Sequence, residues 1–178
     1  MKFLRLSTLV LTAFLLLTAC KRDTEFTKIT EFRKNNIAMT GALNVPQTPS
    51  TALGNMDIWY SRETRILTYT LNWSGLSDSV TTIGLMGPAP SGFATSTSVQ
   101  NLSFLPSGSP RSSASGSTPI IRCPTVSRTS CGSYRGTLLI DGFVATEQNL
   151  LAGVYYVTLR TTGPFASIGE IRGQIKFD

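Results

Sequence analysis

Apolar and polar residues alternate with a period of two along most of the chain from Asn36 onward, which predicts β-strands. The pattern is sharpest over Arg65–Trp73 and 168–177, where apolar residues fall on one face and polar residues on the other. Such alternation is typical of antiparallel strands with one buried face. Further strand-like runs cover residues 36–45, 56–60, 79–86, 97–105, 134–140 and 154–160. About eight short strands predict an all-β fold, a single antiparallel sandwich or barrel that is immunoglobulin-like in general architecture.

The connections between these runs are short and polar. Residues 61–64 join the second and third runs into a hairpin, and residues 161–164 join the last two. Residues 106–119 are rich in Ser, Gly and Pro, a composition typical of a surface loop. One helical turn is predicted at 146–151, with Thr146 as its cap. No repeat and no second domain is evident.

The N-terminus has the three parts of a signal peptide. Lys2 and Arg5 precede an apolar stretch over residues 6–17, which is too short to span a bilayer. The stretch ends in Leu17-Thr18-Ala19-Cys20, a pattern that resembles the lipobox of bacterial lipoproteins. This resemblance implies cleavage of residues 1–19 and acylation of Cys20. Residues 20–35 are charged and lack a sustained period, so we interpret them as a lipid-anchored tether that precedes a β domain over 36–178.

Cleavage before Cys20 changes the net charge of the mature chain, and the residue after Cys20 bears on which membrane holds it. Removal of Lys2 and Arg5 from the 16 basic residues leaves 14 against 10 acidic residues, a net charge of +4. This charge is modest and unclustered, which argues against a nucleic-acid partner. The residue after Cys20 is Lys21, not the Asp that resembles an inner-membrane retention signal. We therefore expect the outer membrane, facing the periplasm or the surface, and not the inner membrane.

Two further cysteines remain, Cys123 and Cys131. An even number of cysteines in an exported protein predicts a disulfide. Free thiols and a metal site are the alternatives, although the chain contains no histidine to complete a metal site.

Four motifs, taken in order along residues 36–178, resemble the CHRD domain, named from chordin and also present in bacterial lipoproteins. They are Gly41-Ala-Leu-Asn-Val-Pro46, Thr68-Tyr-Thr-Leu71 with Gly75-Leu76, Gly132-Ser-Tyr-Arg-Gly-Thr-Leu138, and Gly153-Val-Tyr-Tyr-Val157 followed by Gly169-Glu-Ile-Arg-Gly-Gln-Ile175. The family pattern carries histidines where this chain has Gly84, Met86 and Arg160, and a glutamate where it has Asn44. The resemblance therefore implies that any metal or acid–base chemistry of those histidines is lost here.

The last hairpin carries the candidate binding residues. Glu170 and Arg172 are two apart on a predicted strand and share a face, and Arg160 is predicted to lie opposite or diagonal to Glu170. One interpretation is a polar recognition patch of these three residues. The other is a solvated sheet face whose charges pair locally. Four aromatic residues of the first hairpin, Trp59, Tyr60, Tyr69 and Trp73, are predicted to be core, with a carbohydrate-stacking platform as the alternative.

No catalytic set can be assembled, because the chain has no histidine to activate a serine and nothing selects a pair of carboxylates. The leading hypothesis is a lipid-anchored cell-envelope protein whose non-enzymatic β-sandwich, without a cofactor, serves in binding or assembly with an envelope protein or glycan. The alternatives are a metal-associated or redox envelope protein and a carboxylate-dependent hydrolase.

Overall fold

The structure is a computed structural model that describes residues 29–105, 107–111, 118–124 and 130–178. The predicted signal peptide, the predicted lipid-attachment residue Cys20 and most of the predicted tether lie outside the described residues. None of the helices within the described part is long and apolar enough to cross a membrane.

The described residues form an all-β fold with nine strands, and all of the strand pairs are antiparallel. The bounds are β1 Glu31–Thr40, β2 Leu53–Ser61, β3 Ile66–Ser74, β4 Val80–Met86, β5 Ser98–Ser103, β6 Ile121–Arg122, β7 Gly132–Leu139, β8 Tyr156–Thr161 and β9 Ile171–Gln174. Their order in the sheet is β5-β4-β8-β9-β1-β2-β3-β7-β6. The predicted fold class and both predicted hairpins are confirmed.

One residue pair joins the two halves of this curled sheet. Thr40 of β1 pairs with Arg172 of β9, whereas β1 and β2 pair over eight positions. Strands β5-β4-β8-β9 therefore form one half and β1-β2-β3-β7-β6 the other, with a seam between them. The halves curl toward each other, which gives the arrangement of a half-barrel or sandwich.

Alternate residues from both halves fill the space between them. The fully buried side chains of one half include Met56, Ile58, Tyr69, Leu71 and Tyr134, and those of the other include Ile83, Leu85, Val157, Leu159 and Ile171. Each such side chain contributes about 1.5–3 kcal/mol when it is removed from water. The period-two pattern of the sequence is thus the pattern of the core.

Strand β1 begins at Glu31, earlier than the predicted start of the β domain at residue 36. Its ring contacts explain the difference, because Phe32 packs against Tyr60 and Phe177. A bulge between Lys34 and Ile37 then interrupts the alternation. The bulge includes Asn36, whose φ of 58° is left-handed.

The predicted helical turn is confirmed as α1, Glu147–Leu151. Its cap is Thr146, whose side chain accepts a hydrogen bond from the Asn149 backbone N–H. Cys123 and Cys131 are joined by a disulfide, with their Cα atoms 5.6 Å apart. This bond agrees with the interpretation favoured from the sequence.

Candidate functional site

A cleft lies on the face of β4, β8 and β9 that points away from the core. Along β8, Val157 and Leu159 enter the core, so the residues between and beside them, Tyr156, Thr158 and Arg160, project to the opposite face. Thr158 pairs with Arg172 of β9, which brings both side chains to this face. The strand pattern thus gathers two arginines, a tyrosine and a threonine.

Three loops close over this face. Residues 94–96, residues 167–168 and the pair Asn44-Val45 line the cleft together with the side chains from β8 and β9, and its volume is about 270 Å³. None of the lining residues is acidic, and Arg160 and Arg172 are the two that carry a charge. The cleft therefore presents positive charge, hydroxyls and an amide to any ligand that enters it.

Arg172 is a buried cation, with 2% of its surface exposed. Its guanidinium carbon lies 3.6 Å from the ring centroid of Tyr156. Its Nη1 donates to Phe93 O at 2.7 Å and its Nη2 donates to Gln174 Oε1 at 2.9 Å. Burial lowers the pKa of Arg172. Stacking and two neutral acceptors therefore hold this charge, and no carboxylate among the described residues forms an ion pair with it.

Two other polar groups of the cleft have no partner among the described residues. The Oγ1 of Thr158 and the Nε of Arg160 are buried and make no hydrogen bond. Arg160 itself is partly exposed where it lines the cleft. A buried polar group without a partner costs about 1–3 kcal/mol, so two of them in one cleft call for an explanation.

Glu170 lies in a separate cage of hydrogen-bond donors and does not line the cleft. Its Oε1 accepts from Ser50 Oγ at 2.8 Å and from Ser77 N at 2.7 Å, and its Oε2 accepts from Ser77 Oγ and Thr161 Oγ1, both at 2.7 Å. Glu170 is fully buried. Four donors compensate the buried carboxylate, which gives Glu170 a structural role where the end of β8, the start of β9 and two loops meet.

The predicted patch of Arg160, Glu170 and Arg172 is therefore only partly brought together. Arg160 and Arg172 share the cleft, whereas Glu170 is withdrawn from it. The expectation of a solvated, locally paired face is wrong for Glu170 and Arg172, because both are buried. Arg160 and Glu170 form no ion pair among the described residues. The recognition role itself stays a prediction.

Asn44, Gly169 and Gly173 fix the packing of the backbone next to the cleft. The Asn44 amide donates to the backbone carbonyls of Gly169 and Glu170 at 3.2 and 3.0 Å, which a carboxylate could not do. Gly169 has a φ of 90°, and a Cβ there would collide with Thr158 Oγ1. A Cβ on Gly173 would meet Met39 and the Ala38 carbonyl oxygen. Both glycines thus allow close packing of the neighbouring backbone and side chains.

One protein-family model matches most of this chain. The CHRD domain model matches residues 36–175. This chain belongs to the CHRD family. No curated protein and no solved structure is similar enough to the chain to match it. CHRD is a family of non-enzymatic domains, and the matched range covers the described sheet except for the first five residues of β1.

The three positions where the CHRD pattern carries histidines lie beside the cleft. Gly84 pairs with Thr158 and Met86 pairs with Tyr156, so both face the same side as Arg160. Arg160 is one of the lining residues. The described residues contain no group of three or more His, Cys, Asp or Glu side chains that could hold a metal ion. Of these three positions, only Arg160 contributes a lining side chain to the cleft, and it contributes a guanidinium group.

Several carboxylates of the CHRD domain have structural partners. Asp141 Oδ1 accepts from the backbone N–H groups of residues 143–145, which lowers its pKa. Asp57 Oδ1 accepts from Asn36 N at 2.7 Å, and Glu147 binds Tyr60 and Arg62. These contacts close turns and join elements, so none of them marks a catalytic pair.

Of the first-hairpin aromatics, Tyr60, Tyr69 and Trp73 are buried in the core, as predicted, whereas Trp59 is 38% exposed beneath Arg33.

Sequence reasoning missed Tyr156, Thr158, residues 94–96 and residues 167–168 as parts of the cleft. The period-two pattern does place Tyr156 and Thr158 on the face of Arg160, and that signal could have found them.

Proposed function

We propose that this chain is a lipid-anchored cell-envelope protein whose CHRD domain binds an envelope partner and catalyses no reaction. The observation that carries the binding role is the cleft on the outer face of β8 and β9, where the side chain of Arg160 has no partner among the described residues. A cleft of polar groups with unsatisfied donors is suited to recognition.

The anchor is supported by the sequence alone. Leu17-Thr18-Ala19-Cys20 follows a basic start and a short apolar stretch. Acyl groups on Cys20 would hold the domain at a membrane, since two or more chains give stable attachment at about 0.8 kcal/mol per buried CH₂. We expect the outer membrane, because Lys21 lacks the character of an inner-membrane retention signal.

The absence of catalysis is supported by the residue inventory. The chain contains no histidine, and Glu170, the buried carboxylate near the cleft, is occupied by four structural donors. Arg160 and Arg172 can orient a ligand and neutralise its charge, but neither is an acid or a base near neutral pH. Binding is therefore the activity that this cleft supports best.

The experiment expresses the full chain and its Cys20→Ser variant in a bacterium with two membranes. Mass spectrometry of the N-terminal peptide and separation of the membranes by density would test the anchor. We expect a peptide that begins at acylated Cys20 and co-sediments with the outer membrane, whereas the Cys20→Ser protein is released. An unmodified peptide that spans Ala19-Cys20 in the mature pool would refute the anchor.

Binding is tested by crosslinking the lipidated protein in intact envelopes and identifying its partners. A matched Arg160→Gln protein, anchored in the same way, should lose the specific partners. Turnover of glycosidic, ester or peptide substrates by the pure protein, lost in a point variant, would overturn the non-enzymatic assignment.

A further inference from the structure

The cleft on the outer face of β8 and β9 contains two guanidinium groups, and neither forms an ion pair among the described residues. Arg172 is buried on Tyr156 and bonded to neutral oxygens, and Arg160 has no side-chain partner among the described residues. Buried or half-buried cations are costly unless they are paired. The anion that would pair with them is missing from the lining residues, none of which is acidic.

We propose that this cleft binds an oxyanion, the carboxylate, phosphate or sulfate group of an envelope component. This inference rests on the proposed function, because it names the ligand class of the same site. Guanidinium groups present planar sets of N–H donors that match two oxygens of such a group. Arg160 supplies the accessible donors, and Arg172 contributes fixed positive charge from beneath.

The unpartnered atoms support the same ligand. The hydroxyl of Thr158 and the Nε–H of Arg160 are both buried without an acceptor, two positions apart on one strand face. Both residues line the cleft, so an oxyanion that binds there and displaces the atoms that cover these donors would offer acceptors to both. A neutral ligand would supply acceptors but no charge, so it would leave the two guanidinium groups uncompensated.

The remaining lining limits the size and character of the ligand. Thr95, Ser96, Ser167 and Asn44 add hydroxyl and amide groups around a volume of about 270 Å³. This volume accommodates one small polar unit, such as a single acidic sugar, and not a long apolar chain. The oxyanion is thus expected to be carried by a hydroxylated molecule.

Titration of the full chain in detergent, at constant ionic strength, tests the proposal by calorimetry and by amide chemical shifts. The probes are sodium glucuronate, phosphate and sulfate, with glucose as the neutral control. We expect saturable one-to-one binding of at least one oxyanion, shifts confined to β8, β9 and the cleft loops, and no binding of glucose. Preference among the three probes distinguishes a carboxylate from a tetrahedral oxyanion.

Three variants make the test specific. Arg160→Gln and Thr158→Val should each weaken binding, the former by about tenfold or more, because each removes a donor to a charged group. Arg135→Gln removes the same charge from an exposed site on β7 and should leave affinity within about twofold. Near-ultraviolet circular dichroism confirms that each variant is folded.

Absence of saturable binding for all three oxyanions would overturn the inference, as would equal weakening by Arg135→Gln and Arg160→Gln. Glucose binding that matches glucuronate binding would also overturn it. Each of these results leaves the anchor and partner capture to be judged separately, because those measurements do not depend on the ligand's charge. Conversely, an unacylated Cys20 would refute the anchor and leave oxyanion binding intact.

Discussion

The guanidinium carbon of Arg172 lies 3.6 Å from the ring centroid of Tyr156, and this stack joins β9 to β8 on the cleft face. The two side chains also fasten the loop above them. Arg172 donates to Phe93 O, while the Tyr156 hydroxyl accepts from Thr95 N and donates to Thr95 O. The charge on Arg172 is thus held by a π face and a loop, and no carboxylate among the described residues forms an ion pair with it.

Arg172→Lys keeps the charge but removes the planar fork, so we expect it to destabilise the fold. An ammonium cannot stack on Tyr156 and reach both Phe93 O and Gln174 at once, and the loss is about 1–3 kcal/mol. Urea denaturation measures it. The matched Arg135→Lys change at an exposed position should shift stability by less than about 0.5 kcal/mol. If Arg172→Lys unfolded at the same urea concentration as the wild type, the planar guanidinium would not be needed for stability.

Thr158→Val should leave the fold as stable as the wild type, to within about 1 kcal/mol, even though the side chain is buried. The hydroxyl has no partner in the described residues, so its removal abolishes an unpaired buried group and not a hydrogen bond. Thermal unfolding measures the effect. The control is Thr161→Val, whose hydroxyl donates to Glu170 and whose loss should be clearly destabilising. Equal losses in the two variants would contradict this assignment.

Glu170→Gln should destabilise the fold by about 2 kcal/mol or more. The amide replaces an acceptor oxygen with an NH₂ group that faces donors, so hydrogen bonds from Ser50, Ser77 or Thr161 are lost in a buried site. Denaturant unfolding of the full chain gives the value. Glu63→Gln, at an exposed turn, provides the matched control and should change stability by less than about 0.5 kcal/mol. If Glu170→Gln and Glu63→Gln unfolded at the same denaturant concentration, the four hydrogen bonds to Glu170 would not stabilise the fold.

Burial, and next the hydrogen bond to Glu147, raise the pKa of Tyr60 from 10.0 to about 12. Since the folded pKa is above the unfolded one, this tyrosine's contribution to stability is complete below pH 10. It is lost as pH rises through about 12.

Glu147→Gln should lower the pKa of Tyr60 but leave it above 10, because burial remains the larger cause. Phenolate absorbance, compared between each protein and its Tyr60→Phe counterpart, isolates this titration from those of Tyr69 and Tyr134. An unchanged pKa in Glu147→Gln would exclude the contribution of the hydrogen bond.

Replacement of Cys123 and Cys131 by serine should destabilise the domain by about 2–3 kcal/mol, the entropy that a short closed loop removes from the unfolded chain. Unfolding of the double variant gives the value. Reductant should shift the wild type to the same midpoint and leave the double variant unchanged. A double variant as stable as the oxidised wild type would show that the bond contributes nothing to the fold.

Much of the fold could be predicted because a half-buried strand imposes its period on the sequence. Leu67, Tyr69, Leu71 and Trp73 show that period without interruption, and all four are buried. The start of β1 escaped prediction for a local reason. The left-handed Asn36 shifts the register, so Phe32 and Ile37 face the core although their spacing is odd.

The cleft was less predictable because its cover comes from distant parts of the chain. Alternation places Arg160 and Arg172 on a polar face, and a polar face of an antiparallel sheet is ordinarily solvated. Here residues 93–96 and 167–168 fold over it. The alternation along a strand gives no information about loops from distant parts of the chain that pack over it. Arg172 was therefore expected at the surface, whereas the structure buries it.

The seam between Thr40 and Arg172 has a mechanical consequence if the chain is tethered by its N-terminus as proposed. Tension through the tether would enter the domain at Glu31 and run along β1 to Thr40, where β9 begins to pair with it. Eight backbone-paired positions with β2 would resist that force in shear, whereas β1 and β9 share one backbone pair and the packing of Gly173 against Ala38 and Met39. We therefore expect the strand junction beneath the cleft to yield first, which would make ligand occupancy sensitive to pulling on the anchor.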